Sequence, residues 1–434
     1  MGEITQGRVA AAAILRAVSR GRRLDLAFAD TAAELSDRDR RWVQEVSYGA
    51  IRHRGRLDHL LSLHLRSGLP SLSSLVLDLL RLGAYQLLYM DGVPPYAAIS
   101  QTVDQVRGVA GEGGSRLANG VLRSLEREGG DISRFPQLHS DPEAHLTTWG
   151  SHPSWMVRRW LQRWSPEEVL QLVEWNNAPA PLYLRPLNST LEEARALLSD
   201  QGWDSHAVAP GIPCLRLDRG TNPARILGAV PGIIQDPGAA LVTVYADVPP
   251  EGLVGDLCAA PGGKTLAMAA GGAYVLAADR SLTRLRLLKE NLARVGGRVH
   301  LVAALAQAPP FRELPCLLLD VPCSGTGTLR RHPDARWRLT LDTLNRLVQI
   351  QREMLDVGSR LVPKGGLMVY STCTLEPEEN RGQVEAFLSR NPDFSVEESG
   401  TVPREYLDEQ GYLSVIPQAA GFDGAFGARL VRGS

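Results

Sequence analysis

Residues 253–279 read LVGDLCAAPGGKTLAMAAGGAYVLAAD, and this stretch decides the fold class of the C-terminal part of the chain. The apolar run at 253–258 predicts a buried strand, and residues 264–270 predict the start of a helix. A second apolar run at 273–278 ends at Asp279 and predicts the next strand. A strand, a helix and a strand in this order are typical of a parallel α/β sheet.

The same alternation continues towards the end of the sequence. Further buried strands are predicted at 299–302, 316–319 and 367–370. A long helix is predicted at 341–361, and the tail predicts antiparallel edge strands at 412–416 and 428–431. We therefore expect residues 241–434 to form a Rossmann-like α/β domain.

Two cysteines lie a few residues after predicted strands of this domain. Cys323 comes after the strand at 316–319, and Cys373 comes after the strand at 367–370. Ligands of an open α/β sheet bind beyond the carboxyl ends of its strands, so we expect both thiols at one crevice. A buried structural thiol is the commoner account of either cysteine alone. Their joint placement beside Asp320 favours catalysis instead.

The chemistry that suits such a pair is covalent catalysis on an electron-poor ring. A thiolate at Cys373 can add to C6 of a pyrimidine, which makes C5 able to attack the methyl group of a sulfonium. In this interpretation Asp320 donates or shares a proton at the N3 edge of the base. Cys323 then assists release once the C5 proton has left.

The loop between the first predicted strand and helix suits a ligand. Its small residues let the backbone approach closely, and the helix N-terminus offers free amides and positive potential. The carboxylate of S-adenosylmethionine would fit there, with Lys264 adding a charge, and a plain tight turn is the alternative. Asp279 ends the second strand, where an acid holds ribose hydroxyls or, with Ser281 nearby, caps a helix.

The rest of the chain predicts two further domains. Residues 1–140 have helical apolar spacing only, and their many arginines indicate either a solvated helix surface or a phosphate-binding face. Residues 141–240 are predicted to form a small connecting α/β subdomain, with a strand at 182–185 and a helix at 191–201.

A basic and aromatic stretch follows the first candidate cysteine. It favours binding of RNA phosphates beside the catalytic turn, and an ordinary exposed loop is the alternative. The residues predicted to bind RNA are Arg330, Arg331, His332 and Arg336.

Composition narrows the classes of protein further. The net charge is −1, so the chain is not basic overall, and its 44% hydrophobic and 22% charged residues are ordinary for a globular protein. Its five cysteines form no Cys-x-x-Cys pair, which argues against a zinc site. Apolar runs are too short or too charged for a membrane span. We expect a cytoplasmic monomer that holds no metal.

Three motifs make the chain resemble the RNA cytosine-C5 methyltransferases of the Nop/Sun group. They are DLCAAPGGKT at 256–265, DVPCSGTG at 320–327 and YSTCTLEPEEN at 370–380. The helical N-terminal part resembles the NusB-like RNA-binding domain that the Sun (RsmB-like) enzymes carry. Its matching stretches are YGAIR at 48–52, LLRLGAYQL at 79–87 and ANGVLR at 118–123.

The resemblance implies methyl transfer from S-adenosylmethionine to C5 of a cytosine in small-subunit (16S) ribosomal RNA. It implies that Cys373 is the nucleophile and that Cys323 aids product release. The cofactor residues that it implies are Cys258, Ala259, Ala260, Pro261, Gly262, Gly263, Lys264, Asp279 and Asp320. Two other functions fit the sequence, namely a transfer RNA cytosine-C5 methyltransferase and a non-catalytic NusB-like RNA-binding factor whose cofactor site has lapsed.

The chain departs from the family pattern after the third predicted strand of the domain. The family has an acidic residue there, near the adenine, whereas residues 302–308 read VAALAQA. Adenine can still be held by backbone groups or by Gln307. We expect cofactor binding to be weaker by one hydrogen bond, about 1 kcal/mol.

Overall fold

Residues 4–218 and 221–433 are described by the structure, which is a computed structural model with side chains. Contacts within the chain divide it into two units: Met1–Pro179 with Leu329–Arg338, and Ala180–Thr328 with Leu339–Ser434. Among the described residues, each helix is too short or too polar to cross a lipid bilayer.

Helices build the first unit, as its apolar spacing predicts. Ser36 and Ser73 cap two of these helices by accepting backbone N–H groups, and the buried faces include Ile14, Leu60 and Leu122. The prediction of an all-helical N-terminal domain is confirmed. The helices are α1 (Gln6–Ser19), α2 (Leu24–Thr31), α3 (Asp37–Arg52), α4 (Arg54–Ser62), α5 (Ser74–Tyr89), α6 (Pro95–Glu128), α7 (Pro142–Thr148), α8 (Ser154–Leu161) and α9 (Pro166–Asn177).

The predicted connecting subdomain, residues 141–240, is divided between the units. Helices α7 to α9 belong to the first unit, where Ser151 Oγ accepts the Gly55 N–H at 2.9 Å and donates to the Arg52 carbonyl at 2.8 Å. Trp160 is fully buried in α8. Helices α7 to α9 bury their apolar faces within the first unit. The helical half of residues 141–240 therefore belongs with the helices before it and not with the strands that follow.

A four-stranded antiparallel sheet opens the second unit, in the order β2-β3-β1-β4. It carries two helices, and Thr190 starts the first of them with a capping box. The elements are β1 (Leu182–Pro186), α10 (Leu191–Asp200), β2 (Ser205–Ala207), β3 (Leu215–Leu217), α11 (Pro223–Ala229) and β4 (Gly232–Ile234). The predicted small α/β subdomain is thus present in this part of the chain.

The rest of the described second unit consists of an eight-stranded sheet and the helices that connect its strands. The strand order is β10-β12-β9-β8-β5-β6-β7, and β11 pairs with β12. The elements are α12 (Pro237–Ala246), β5 (Leu253–Asp256), α13 (Gly263–Ala270), β6 (Tyr274–Asp279), α14 (Leu282–Val295), β7 (Val299–Ala303), β8 (Cys316–Asp320), α15 (Ala335–Arg338), α16 (Leu341–Leu361), β9 (Leu367–Thr372), α17 (Arg381–Arg390), β10 (Phe394–Val396), β11 (Leu413–Val415), α18 (Pro417–Ala420) and β12 (Ala425–Arg432). Of these elements, α15 belongs to the first unit.

Strand direction in this sheet confirms the Rossmann-like prediction. Strands β5 to β9 run parallel, whereas β10, β11 and β12 form the antiparallel edge that the tail predicts. The chain order reverses at β5, which lies between β8 and β6. Such a reversal is where open α/β sheets bind ligands, beyond the carboxyl ends of the strands.

Candidate active site

The two cysteines lie together beyond the carboxyl ends of β8 and β9. These strands are parallel neighbours whose register pairs Asp320 with Ser371. The Sγ atoms of Cys323 and Cys373 are 3.4 Å apart, and the Cys373 N–H donates to the Cys323 Sγ, also at 3.4 Å. One pyrimidine ring can therefore contact both sulfurs, as the sequence-based hypothesis requires.

Asp320 is held by two donors at the end of β8. The Nζ atom of Lys264 lies 2.7 Å from its Oδ2, and Ser371 Oγ donates to its Oδ1 at 2.9 Å. Burial lowers the pKa of Lys264, but the charge of Asp320 outweighs burial and the pKa lies above its ordinary value. A thiolate at Cys373 acts in the same direction, so the ammonium group is within electrostatic reach of that sulfur.

The predicted ligand loop joins β5 to α13. Asp256 ends β5 just before this loop and is fully buried. Its carboxylate accepts hydrogen bonds from the Thr265 hydroxyl at 2.7 Å and from the Cys258 N–H at 3.2 Å. Burial raises the pKa of Asp256 to about 7. Burial also raises the pKa of the Cys258 thiol. Gly262, with φ of +110°, is the N-cap residue directly before α13 and offers no side-chain cap. The first amides of this helix are therefore available to a ligand.

Asp279, at the end of β6, is hydrogen-bonded to the same loop. Its Oδ2 accepts the Ala260 N–H at 3.2 Å, and its Oδ1 accepts the Ser281 N–H at 2.8 Å. The Arg284 guanidinium lies 3.6 Å from Oδ2. The N-cap of α14 is Ser281, whose hydroxyl accepts the Arg284 N–H, so Asp279 does not itself cap this helix. Each carboxylate oxygen still has acceptor capacity, which leaves the ribose role as a prediction.

Two of the four predicted RNA-binding residues are buried within the first unit, and the prediction is wrong for them. Arg336 is fully buried, and its guanidinium donates to the carbonyls of Ser151 and Asn176 at 3.1 Å each. Arg330 is also buried, donates to the Pro179 carbonyl at 2.7 Å and stacks on an indole ring. Both guanidinium groups are hydrogen-bonded to backbone carbonyls inside the first unit. These two arginines are therefore not available to RNA.

The other two predicted RNA-binding residues are at least partly exposed. His332 is exposed and Arg331 is half-buried. Their role in RNA binding remains a prediction.

Sequence profiles of known families match most of the chain. The 16S rRNA methyltransferase RsmB/F family matches residues 245–431, the NusB family matches 5–127, and the ferredoxin-like domain of RsmF/B-like methyltransferases matches 152–223. The ribosomal RNA small subunit methyltransferase B of Sodalis glossinidius is 33% identical over 440 residues, which cover 98% of this chain and 97% of that protein. The chain belongs to the RsmB/F family.

Two further comparisons agree, one on the family and one on the fold. The ribosomal RNA small subunit methyltransferase B of Vibrio cholerae is 33% identical over 404 residues, with 91% of each chain covered. The crystal structure of PH0851 is 22% identical, covers 100% of both chains and has a TM-score of 0.80, which supports the fold. The resemblance stated from the sequence motifs is confirmed, and so is the prediction that the chain is a methyltransferase.

A buried polar network holds the two cysteines of this RsmB/F protein at their separation. Ser324 and Thr374 each follow one cysteine, and their hydroxyl oxygens are 2.6 Å apart. The Glu379 carboxylate accepts the Ser324 N–H at 2.8 Å and the Ser324 hydroxyl, and it accepts Gln351 Nε2 at 2.9 Å. Burial raises the pKa of Glu379, whereas these hydrogen bonds oppose the shift.

Sequence reasoning missed this network. The signal that was available is the hydroxyl residue directly after each cysteine. The acid that joins them is 55 residues from Ser324, and only the fold brings the two together.

Replacing Glu379 by leucine should lower kcat about 100-fold, because loss of the shared acceptor lets the two cysteine loops drift apart. Glu379→Gln should retain most of the activity, since its remaining oxygen can still accept the Ser324 N–H. Binding of S-adenosylhomocysteine should be unchanged in both variants. Single-turnover methylation and calorimetric titration measure the two quantities. Equal activity of the leucine variant and the unmodified protein would contradict the positioning role.

Proposed function

We propose that this chain transfers a methyl group from S-adenosylmethionine to C5 of a cytosine in 16S ribosomal RNA. Family membership supports the reaction class, and the names of the curated relatives support small-subunit ribosomal RNA as the substrate. The single observation that carries the mechanism is the 3.4 Å separation of the Cys323 and Cys373 sulfurs beside Asp320.

In the proposed mechanism Cys373 is the nucleophile. Its thiolate bonds to C6 of the cytosine, and the electron pair of the C5–C6 double bond becomes available at C5. The Lys264 ammonium and Asp320, which are paired at 2.7 Å, share a proton with N3 as charge develops on the ring. S-adenosylmethionine, when bound, supplies the methyl group that C5 takes up.

Product release reverses the addition. The Cys323 thiolate or solvent takes up the C5 proton, the bonding pair that held this proton restores the C5–C6 double bond, and the bond between C6 and the sulfur of Cys373 breaks. Cys373 departs as a thiolate. Cys323 is proposed to assist this elimination, since its sulfur lies next to the breaking bond.

The proposed cofactor residues suit S-adenosylmethionine. A negatively charged carboxylate fits the uncapped amides of α13, which starts at Gly263. Asp279 and the loop at residues 258–264 are joined by the Ala260 hydrogen bond, so ribose and methionine groups would be held by one connected structure. Adenine would rely on backbone groups beyond Val299–Ala303 or on Gln307.

We further propose that the NusB-like first unit binds ribosomal RNA and that the protein acts as a cytoplasmic monomer. The NusB family match at 5–127 supports the RNA-binding role. The cysteines, Asp320 and the ligand loop all belong to the second unit of one chain, which supports a site that needs no second copy.

Methylation of undermodified RNA with labelled S-adenosylmethionine tests the proposal. Small-subunit ribosomal RNA should take up label at C5 of a cytosine, and transfer RNA should not. Label in transfer RNA alone would favour the transfer RNA alternative. Absence of both methylation and calorimetric cofactor binding would favour the non-catalytic RNA-binding factor.

A further inference from the structure

Arg185 is a buried cation on β1 without a counter-charge. It is 8% exposed, and no described carboxylate lies within ion-pair distance of it. Its guanidinium donates instead to Thr243 Oγ1 at 2.7 Å and to Gln235 Oε1 at 3.0 Å. Burying a cation without a counter-charge costs free energy unless the cation is hydrogen-bonded. The two neutral acceptors offset this cost, so losing either hydrogen bond would destabilise the fold.

The guanidinium fixes the orientation of the Gln235 side chain. An arginine can only donate, so the amide oxygen of Gln235 must face Arg185 and its NH2 group must face away. That NH2 group points at the ligand loop, since Nε2 lies 2.9 Å from the position that a Cβ on Gly263 would occupy. Gln235 is 7% exposed, and its Nε2 has no hydrogen-bond partner among the described residues.

Two kinds of donor therefore converge at the start of α13. One is the set of uncapped amides after Gly262, and the other is the Gln235 amide beside Gly263. The nearest acid in sequence, Asp236, is already engaged by the backbone N–H groups of Gly238 at 2.9 Å and Asp423 at 3.0 Å. A site with fixed donors and positive potential suits a carboxylate.

We propose that Gln235 binds the carboxylate of the methionine part of S-adenosylmethionine through its Nε2–H, and that Arg185 is the positioning residue for it. The inference rests on the proposed use of that cofactor at this loop. It adds a residue from the segment before α12 to a site otherwise built from the carboxyl ends of the parallel strands. It also accounts for glycine at position 263, because a side chain there would collide with the amide.

Two ligands that differ in the carboxylate test the proposal by calorimetric titration. S-adenosylhomocysteine carries the amino-acid group, and 5′-methylthioadenosine lacks it. Gln235→Met keeps the volume and removes the donor, so its affinity for S-adenosylhomocysteine should fall about 10- to 100-fold. Its affinity for 5′-methylthioadenosine should not change. Gln349→Met on the exposed face of α16 is the matched control and should change neither affinity.

The other outcomes are separable. An equal loss for both ligands in Gln235→Met would mean that Gln235 only supports the fold, and unchanged binding of S-adenosylhomocysteine would likewise overturn the inference. If the unmodified protein binds neither ligand, the proposed cofactor use itself fails. Gln235→Glu gives a second readout, because its carboxylate should repel that of S-adenosylhomocysteine and leave 5′-methylthioadenosine unaffected.

Discussion

Replacing Cys373 by alanine should lower methylation of ribosomal RNA by about 10⁴-fold or more. C5 of cytosine is a poor nucleophile. It becomes electron-rich enough to attack a methyl group only when a sulfur has bonded to C6. Cys323 cannot substitute, because in the proposed mechanism it acts only after the addition. Incorporation of labelled methyl groups into undermodified RNA measures the effect.

Cys316→Val is the matched control for this variant. Cys316 is buried at the start of β8, four residues before Asp320, and valine preserves its packing. The control should retain activity, and both variants should still bind S-adenosylhomocysteine. Turnover by the Cys373→Ala protein within about 100-fold of that of the unmodified protein would contradict the covalent mechanism.

The second large effect is expected from Cys323→Ala. If Cys323 assists elimination, its loss should leave RNA bonded to Cys373 after methyl transfer. A protein–RNA adduct should then accumulate during the reaction, and it should survive denaturing electrophoresis. The unmodified protein under the same conditions should show little of it.

A double variant separates a true adduct from nonspecific cross-linking. Cys323→Ala combined with Cys373→Ala should give no adduct, since the nucleophile is gone. If the single Cys323 variant remains active and forms no adduct, the assigned division of roles between the two cysteines is wrong.

The meeting of the two cysteines was predictable from sequence because parallel strands end at one edge of a sheet. A short apolar run before each residue was enough to indicate a common crevice. The same argument placed Asp320 and the loop after β5 at this edge, since Asp320 ends β8 and the loop follows β5. The position of a residue at the end of a predicted strand can thus be read from the local sequence, and it predicts contacts between residues far apart in the chain.

The parts that sequence reasoning missed depend on partners that no local pattern specifies. Glu379 lies in a polar turn, and its role follows only from the pairing of β8 with β9. Arg330 and Arg336 belong to a basic stretch that is typical of an RNA-binding loop. Their guanidinium groups instead satisfy carbonyls of the helical unit, which a charge pattern alone does not reveal.

The path of the chain between Cys323 and α16 limits where this protein can be cut into fragments. Residues Leu329–Arg338 leave the second unit and fold into the first, where the Trp337 indole donates to the Ile51 carbonyl at 2.8 Å. A gene fragment starting at residue 180 would therefore encode an orphaned insert, and one ending at 179 would lack a piece of its interior. Residue 179 is therefore a poor place to divide this chain, because neither fragment would keep all the contacts of its own unit.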